Sequence, residues 1–147
     1  MKHIFINLYL LAGSYQDIKS KSIKNWYLWL GGVIGLFFLM IDWKEGQREI
    51  YEWIFRFIPG ILFLFYGKVS REKVGYGDGW LVIILGSLYS WIFLCRLLMI
   101  SLFLTVLAAG FLIVIKKGTK ESILPYLPFL WMAHIVLWGY SGMNGYL

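Results

Sequence analysis

The chain is poor in the residues from which disulfides, metal sites and polar surfaces are built. Its single cysteine, Cys95, lies in an apolar stretch, which excludes an internal disulfide and a zinc site made of thiolates. Its two histidines, His3 and His134, have no partners at ligand spacing, so we predict no metal site. Charged residues make up 15% of the chain and hydrophobic residues 60%, whereas a soluble domain is about 45–50% apolar. The composition therefore predicts an integral membrane protein without a sizeable soluble domain.

The abundant apolar residues form repeated blocks, each close to the length of about 20 residues that a helical membrane crossing needs. They predict an all-α integral membrane protein, a bundle of about six transmembrane helices with short loops, forming a single domain over residues 1–147. The predicted segments are 2–19, 25–41, 50–67, 79–94, 97–115 and 124–140, with a turn at Arg96. We expect the first segment to stay in the fold, because Gln16 and Asp17 follow its uncharged core where a signal peptide would have small cleavage-site residues.

The positive charges fall mainly on one side of this predicted arrangement. Loops on that side hold nine basic residues: Lys19, Lys21, Lys24, Lys68, Arg71, Lys73, Lys116, Lys117 and Lys120. The opposite side holds four: Lys2, Lys44, Arg48 and Arg96. Because basic loops stay in the cytoplasm, we predict a multi-pass protein of the cytoplasmic membrane with both termini outside. We therefore assign the net charge of +6 to membrane topology, and we predict the lipid bilayer rather than nucleic acid as a partner.

Two aspartates lie at the predicted cytoplasmic boundary. Asp17 ends the first crossing and Asp78 starts the fourth, so two intervening crossings return the chain to the same leaflet. Carboxylates near hydrocarbon are costly, and two close carboxylates cannot easily both ionise, so one keeps a proton. An aspartyl protease uses such a pair to activate water and to polarise the scissile carbonyl. The pattern favours a catalytic pair, but Asp78 alone is equally typical of a helix N-cap and Asp17 alone of an ion pair with a nearby lysine.

Four short motifs occur in order along the chain. They are Asp17-Ile18-Lys19, Ile23-Lys24-Asn25, Gly75-Tyr76-Gly77-Asp78 and Leu124-Pro125-Tyr126-Leu127-Pro128. Together they resemble the type IV prepilin peptidase family of membrane aspartyl proteases, and in particular the short stand-alone members of tight-adherence (Flp-type) pilus systems. The resemblance implies that Asp17 and Asp78 are catalytic. It also implies a loop around the site made of Gly75, Tyr76, Gly77 and Gly79, and residues that support the site or contact the substrate, namely Lys19, Asn25, Pro125 and Pro128.

The resemblance further implies a reaction without a cofactor. Family members cleave the short basic leader of a type IV pilin-like precursor, typically after glycine, at the cytoplasmic face of the membrane. This chain departs from the family pattern at Lys24, where proline is common, and at Gly79-Trp80, which replaces an aliphatic residue and lysine. It also lacks the cysteine-bearing insertion of the long members that methylate the new N-terminus. We therefore expect peptidase activity and leave N-methylation, and the oligomeric state, open.

A second interpretation is a non-catalytic membrane protein, either a channel or a degenerate peptidase that binds pilins. Val74 to Asp78 matches the potassium-channel filter in sequence. A filter needs an apolar pore helix before it, whereas this chain has Arg71, Glu72 and Lys73 there. The charges disfavour the channel. Elsewhere, the spacing of Glu52 and Arg56 predicts an ion pair within one helix.

Overall fold

The computed structural model describes residues 2–20, 23–44, 50–69, 76–115 and 125–143, and within these ranges the chain forms six α-helices and no strand. The helices are α1 (Lys2–Ser20), α2 (Asn25–Lys44), α3 (Ile50–Val69), α4 (Tyr76–Leu88), α5 (Trp91–Val114) and α6 (Leu127–Met143). The prediction of an all-helical protein is therefore confirmed. The apolar blocks form helices although they contain several glycines, because a helix satisfies the backbone hydrogen bonds within the segment itself, as apolar surroundings require.

Two of the six helices in the described ranges, α2 and α5, are long and apolar enough to cross a membrane by themselves. The helix α4 and the apolar part of α6 are shorter than a usual crossing. These two helices have the length and composition of membrane crossings, and a bundle of six crossings stays a prediction.

The helix boundaries differ from the predicted ones most clearly between α4 and α5. The predicted turn at Arg96 is wrong, because the chain leaves α4 at Tyr89 and Ser90 and Arg96 lies inside α5. The carbonyl of Ser90 accepts the N–H of Leu94 at 2.9 Å and thereby starts α5. Serine favours the position just before a helix. A charge between two apolar runs predicts a break at Arg96, but an exposed arginine is compatible with a helix interior.

The described residues group into two compact units. The first unit comprises Met1–Lys21 and Arg96–Leu147, and the second comprises Ser22–Cys95. Because α5 contributes to both units, the single domain over residues 1–147 stays a prediction.

In the first unit, α1 packs along α6. The core contains apolar residues that are nearly or fully buried: Ile6, Leu10, Leu97, Leu127, Leu130 and Ala133. Burial of such side chains stabilises each by about 1.5–3 kcal/mol relative to exposure in water.

In the second unit, α4 packs against both α2 and α3. Three side chains of α4, Leu81, Val82 and Leu85, are completely buried. Glycines allow the close approach: a Cβ on Gly35 of α2 would collide with the side chain of Ser87. A Cβ on Gly86 would lie 2.5 Å from the backbone carbonyl oxygen of Arg56 on α3. A small residue at position 35 is therefore needed for α2 to pack this closely on α4.

Candidate active site

Asp17 is held at the start of another helix. It lies near the end of α1, one turn before Ser20, and only 6% of its surface is exposed. Its Oδ2 atom accepts a hydrogen bond from the backbone N–H of Leu127, the first residue of α6, at 3.1 Å. The N–H of Tyr126 interacts with the same carboxylate. The first N–H groups of a helix lack partners within it and carry partial positive charge, so this end of α6 stabilises a negative charge on Asp17.

The prolines of the Pro-x-x-Pro motif explain why α6 begins there. Pro125 precedes the helix and Pro128 is its second residue. Proline has a fixed φ and no N–H, which suits the first turn, where an N–H would have no acceptor in the helix. Leu127 keeps its N–H and donates it to Asp17. Both predicted supporting prolines therefore flank the residue that contacts Asp17.

Tyr126 connects the start of α6 to α5. Its carbonyl accepts the N–H groups of Phe129 and Leu130 at 3.1 and 3.2 Å, which opens the helix. Its side-chain hydroxyl lies 2.8 Å from Oγ of Ser101 on α5, and both side chains are buried. The sequence interpretation named neither side chain as part of the site.

Asp78 lies in the first turn of α4, within the second unit, and is half-buried. A carboxylate in the first turn of a helix interacts favourably with the partial positive charge at that end. Each predicted catalytic acid is thus placed at the N-terminal end of a helix, Asp78 in its own helix and Asp17 against α6. The two acids belong to different units, and their pairing stays a prediction.

The glycines on either side of Asp78 are explained by packing inside the second unit. A Cβ on Gly77 would lie 3.0 Å from Cβ of Ile23. A Cβ on Gly79 would lie 2.7 Å from the side chain of Leu64 and 3.0 Å from its backbone nitrogen. Larger residues would therefore push the start of α4 away from its neighbours. The predicted loop is therefore wrong at Tyr76, Gly77 and Gly79, which lie in the first turn of α4, and Gly75 lies outside the described residues.

An apolar groove lies between α2 and α4 in the second unit. Its volume is about 540 Å³, which is within the range of about 300–1,000 Å³ typical of ligand pockets. Asn25 and Ser87 are among the residues that line it, and Gly32 leaves space beside α2. Trp80, two residues after Asp78, also lines the groove. The groove therefore extends toward the end of α4 that holds the predicted catalytic acid.

The model of the type IV leader peptidase family matches residues 4–115 of this chain. The chain belongs to the type IV leader peptidase family. This match confirms the family resemblance; it includes Asp17, Asp78 and the first three motifs, and the Pro-x-x-Pro motif lies beyond it.

A curated relative supports the same assignment. The chain is similar to a prepilin leader peptidase/N-methyltransferase of Pseudomonas putida, with 26% identity over 125 residues. The alignment covers 76% of this chain and 39% of the relative, so the chain spans about two-fifths of that protein's length. No solved structure matches the chain significantly.

The other predicted site residues of this leader peptidase family member lie at exposed positions. Lys19 is in the last turn of α1, and Asn25 is the first residue of α2, where it borders the apolar groove. Tyr76 begins α4 and is 41% exposed. The proposed contacts of these side chains with a substrate stay predictions.

The expected ion pair between Glu52 and Arg56 is wrong. Arg56 is completely buried, and its Nη1 atom lies 3.5 Å from Oδ2 of Asp42 on α2. Its guanidinium also lies 5.2 Å from the ring centre of Trp53. An arginine in the protein interior needs a charged partner, and Asp42, whose side chain is 12% exposed, provides one at the end of α2. Helical spacing alone cannot reveal a partner on another helix.

The two histidines, separate in sequence, meet in the first unit. The ring centres of His3 and His134 are 6.0 Å apart, and Nδ1 of His134 lies 3.0 Å from Oδ1 of Asn7. Within the described ranges, no group of three or more histidine, cysteine, aspartate or glutamate side chains is arranged to hold a metal. The contact therefore packs α1 against α6.

Proposed function

We propose that this chain is a prepilin leader peptidase that cleaves the basic leader of type IV pilin-like precursors with Asp17 and Asp78 as paired acids. Family membership carries the proposal, because the matched region includes both aspartates. Their placement supports it, since each acid lies at the N-terminal end of a helix, where N–H groups can stabilise a carboxylate without a metal.

The proposed reaction is a general acid–base hydrolysis. One carboxylate takes a proton from water as the oxygen attacks the scissile carbonyl, and the protonated partner donates a hydrogen bond to the carbonyl oxygen. The intermediate then collapses, the peptide C–N bond breaks, and the leaving nitrogen receives a proton. We assign the two roles to the pair, because interacting acids titrate together.

The proposed substrate inserts an apolar helix beside the protein and keeps its basic leader in the cytoplasm. We place the reaction at the cytoplasmic face of a six-crossing protein with both termini outside, as the distribution of lysines predicts. The proposal covers peptide cleavage and not methyl transfer, because the alignment spans 39% of the relative whose name includes both activities.

The helical start of α4 counts against the potassium-filter alternative. A filter coordinates ions with a ring of carbonyls from an extended loop. Tyr76 to Gly79 instead form the first turn of α4, where carbonyls point along the helix toward the N–H groups of the next turn. The remaining alternative is a homologue that binds pilins without cleaving them.

Isosteric substitutions test the proposal. Asp17→Asn and Asp78→Asn are each produced in membranes with a tagged precursor that has a lysine-rich leader ending in glycine. We expect each to reduce leader cleavage by more than about 10³-fold, as expected when one member of a cooperating catalytic set is removed. The control is Glu52→Gln, which removes an acid outside the proposed site and should cleave normally.

Protein abundance in the membrane is measured for each variant by immunoblot. Cleavage by either aspartate variant at the rate of the control would refute the paired-acid mechanism. A native protein that binds the precursor but never cleaves it would instead favour the non-catalytic homologue.

A further inference from the structure

We infer that Tyr126 and Ser101 position Asp17 for catalysis, an inference that rests on the proposed peptidase function. The starting observation is a hydrogen bond between two buried hydroxyls. Ser101 on α5 is completely buried and Tyr126 is 8% exposed, and their oxygens are 2.8 Å apart. Leaving either hydroxyl unpaired in this position would be costly, so the bond defines where the Tyr126 side chain lies.

The direction of this bond follows from a second contact. The Ser101 hydroxyl donates its one proton to the carbonyl of Leu98 at 3.0 Å. Its oxygen can then only accept from Tyr126, so the Tyr126 O–H is the donor. The tyrosine hydroxyl is thereby bonded to the Ser101 hydroxyl, which is itself bonded to the backbone carbonyl of Leu98. Both residues lie inside α5, so this anchor is rigid.

Tyr126 transmits this restraint to Asp17 through the backbone. The tyrosine side chain has few rotatable bonds, so fixing its hydroxyl restricts the adjacent main chain. The next residue, Leu127, donates its N–H to the Asp17 carboxylate at 3.1 Å. Pro125 and Pro128, which have restricted φ angles, limit the freedom of this short segment on both sides. The position of the carboxylate therefore depends on a hydroxyl contact that does not touch it.

The rate of a catalysed reaction depends closely on the position of the catalytic group. A displacement of about 1 Å can reduce a rate about 100-fold, and loss of the hydroxyl contact should allow only part of that displacement. We expect Tyr126→Phe and Ser101→Ala each to lower kcat about tenfold, with KM changed less than about twofold. The double variant should be no slower than either single variant, because both remove the same bond.

Two matched controls separate positioning from a general loss of packing. Ser14 is also buried and donates to a carbonyl of its own helix, that of Leu10 at 2.7 Å, so Ser14→Ala removes a comparable hydroxyl. Tyr15 is 68% exposed on α1, two residues from Asp17, so Tyr15→Phe removes a tyrosine hydroxyl beside the site. Both controls should keep kcat within about twofold of the native chain, as expected for contacts outside the network.

A second measurement tests directly whether the hydroxyl contact holds the start of α6 in place. The full chain is labelled with ¹⁵N-leucine in detergent micelles, and the exchange rate of the Leu127 amide is followed by NMR. We expect protection of this amide to fall about tenfold in Tyr126→Phe and Ser101→Ala, because local opening becomes easier. Protection in the two control variants should match the native chain.

The two measurements distinguish the possible failures. Unchanged kcat in both variants, with an active native chain, would refute the positioning role and leave the proposed function intact. A lower kcat without faster Leu127 exchange would also refute it, because the effect would not pass through the start of α6. A native chain that does not cleave the precursor at all would refute the proposed function, and the positioning role of Tyr126 and Ser101 with it.

Discussion

The backbone N–H of Leu127 donates a hydrogen bond to the carboxylate of Asp17, 110 positions earlier in the chain. The proposed catalytic acid is therefore also the residue that satisfies the first N–H of α6. Two functions at one side chain can be separated by substitutions that keep one and remove the other.

Asp17→Asn should separate the two. Its side-chain oxygen can still accept the Leu127 N–H, so we expect the free energy of unfolding to fall by less than about 1 kcal/mol. Asp17→Leu removes the acceptor from a buried N–H and should cost about 1–3 kcal/mol. Both should abolish cleavage. Denaturation midpoints in detergent micelles, compared with precursor cleavage by the same preparations, check this. Equal stability of the two variants would contradict the contact between Asp17 and α6.

Gly86→Ala should destabilise the second unit. An added Cβ would lie 2.5 Å from the carbonyl oxygen of Arg56, and a backbone atom cannot rotate away, so we expect a loss of about 1–3 kcal/mol. The matched control is Gly32→Ala, whose Cβ would have no atom within 4 Å. The control should be neutral or stabilising by up to about 1 kcal/mol, because alanine favours a helix more than glycine. Thermal unfolding of both variants in micelles checks the difference, and similar midpoints would count against the close approach of α3 and α4.

Arg56 and Asp42 should be energetically coupled. Arg56→Gln leaves a carboxylate without its buried positive partner, and we expect a loss of about 3–5 kcal/mol. The double variant Asp42→Asn, Arg56→Gln should lose less than the sum of the two single variants by at least about 1 kcal/mol. Unfolding measurements on this double-mutant cycle give the coupling directly. Glu52→Gln is the control, since the helical spacing predicted Glu52 as the partner, and its coupling with Arg56→Gln should be close to zero.

The predicted topology can be checked by cysteine labelling, because the native chain has one cysteine to remove. In a Cys95→Ser background, Ser20→Cys and Val69→Cys lie at the ends of α1 and α3, and Lys44→Cys lies at the end of α2. All three positions are exposed. A membrane-impermeant maleimide should label Lys44→Cys in intact spheroplasts and the other two only in inverted vesicles. Labelling of all three from one side would overturn the alternating arrangement.

The helices could be predicted from the sequence because their signal is local. Each apolar block contains enough information to form a helix, and Asp17 and Asp78 lie at the ends of such blocks. The family motifs then identified the two aspartates and the prolines near α6. The break at Tyr89 and Ser90 was missed, because apolar residues continue on both sides and only a single serine indicates the start of α5.

The supporting contacts could not be predicted for the opposite reason. The hydroxyls of Tyr126 and Ser101 are 25 positions apart, and nothing in either local pattern specifies the other. The partner of Arg56 likewise lies on another helix, 14 positions earlier than the arginine. Such pairs form only when the helices pack together, and the local pattern of a single sequence does not reveal which helices meet.

The shortness of α4 bears on where the water for hydrolysis comes from. Its 13 residues extend over about 20 Å at about 1.5 Å per residue, whereas the hydrocarbon layer is about 30 Å thick. If the end of α4 at Leu88 reaches the outer boundary, the first residue, Tyr76, lies about 10 Å below the cytoplasmic one, and Asp78, two residues further along the helix, lies about 13 Å below it. Water must then reach the acid through a locally thinned bilayer or a water-filled cavity in the protein. The thickness of the bilayer should therefore affect the rate of cleavage.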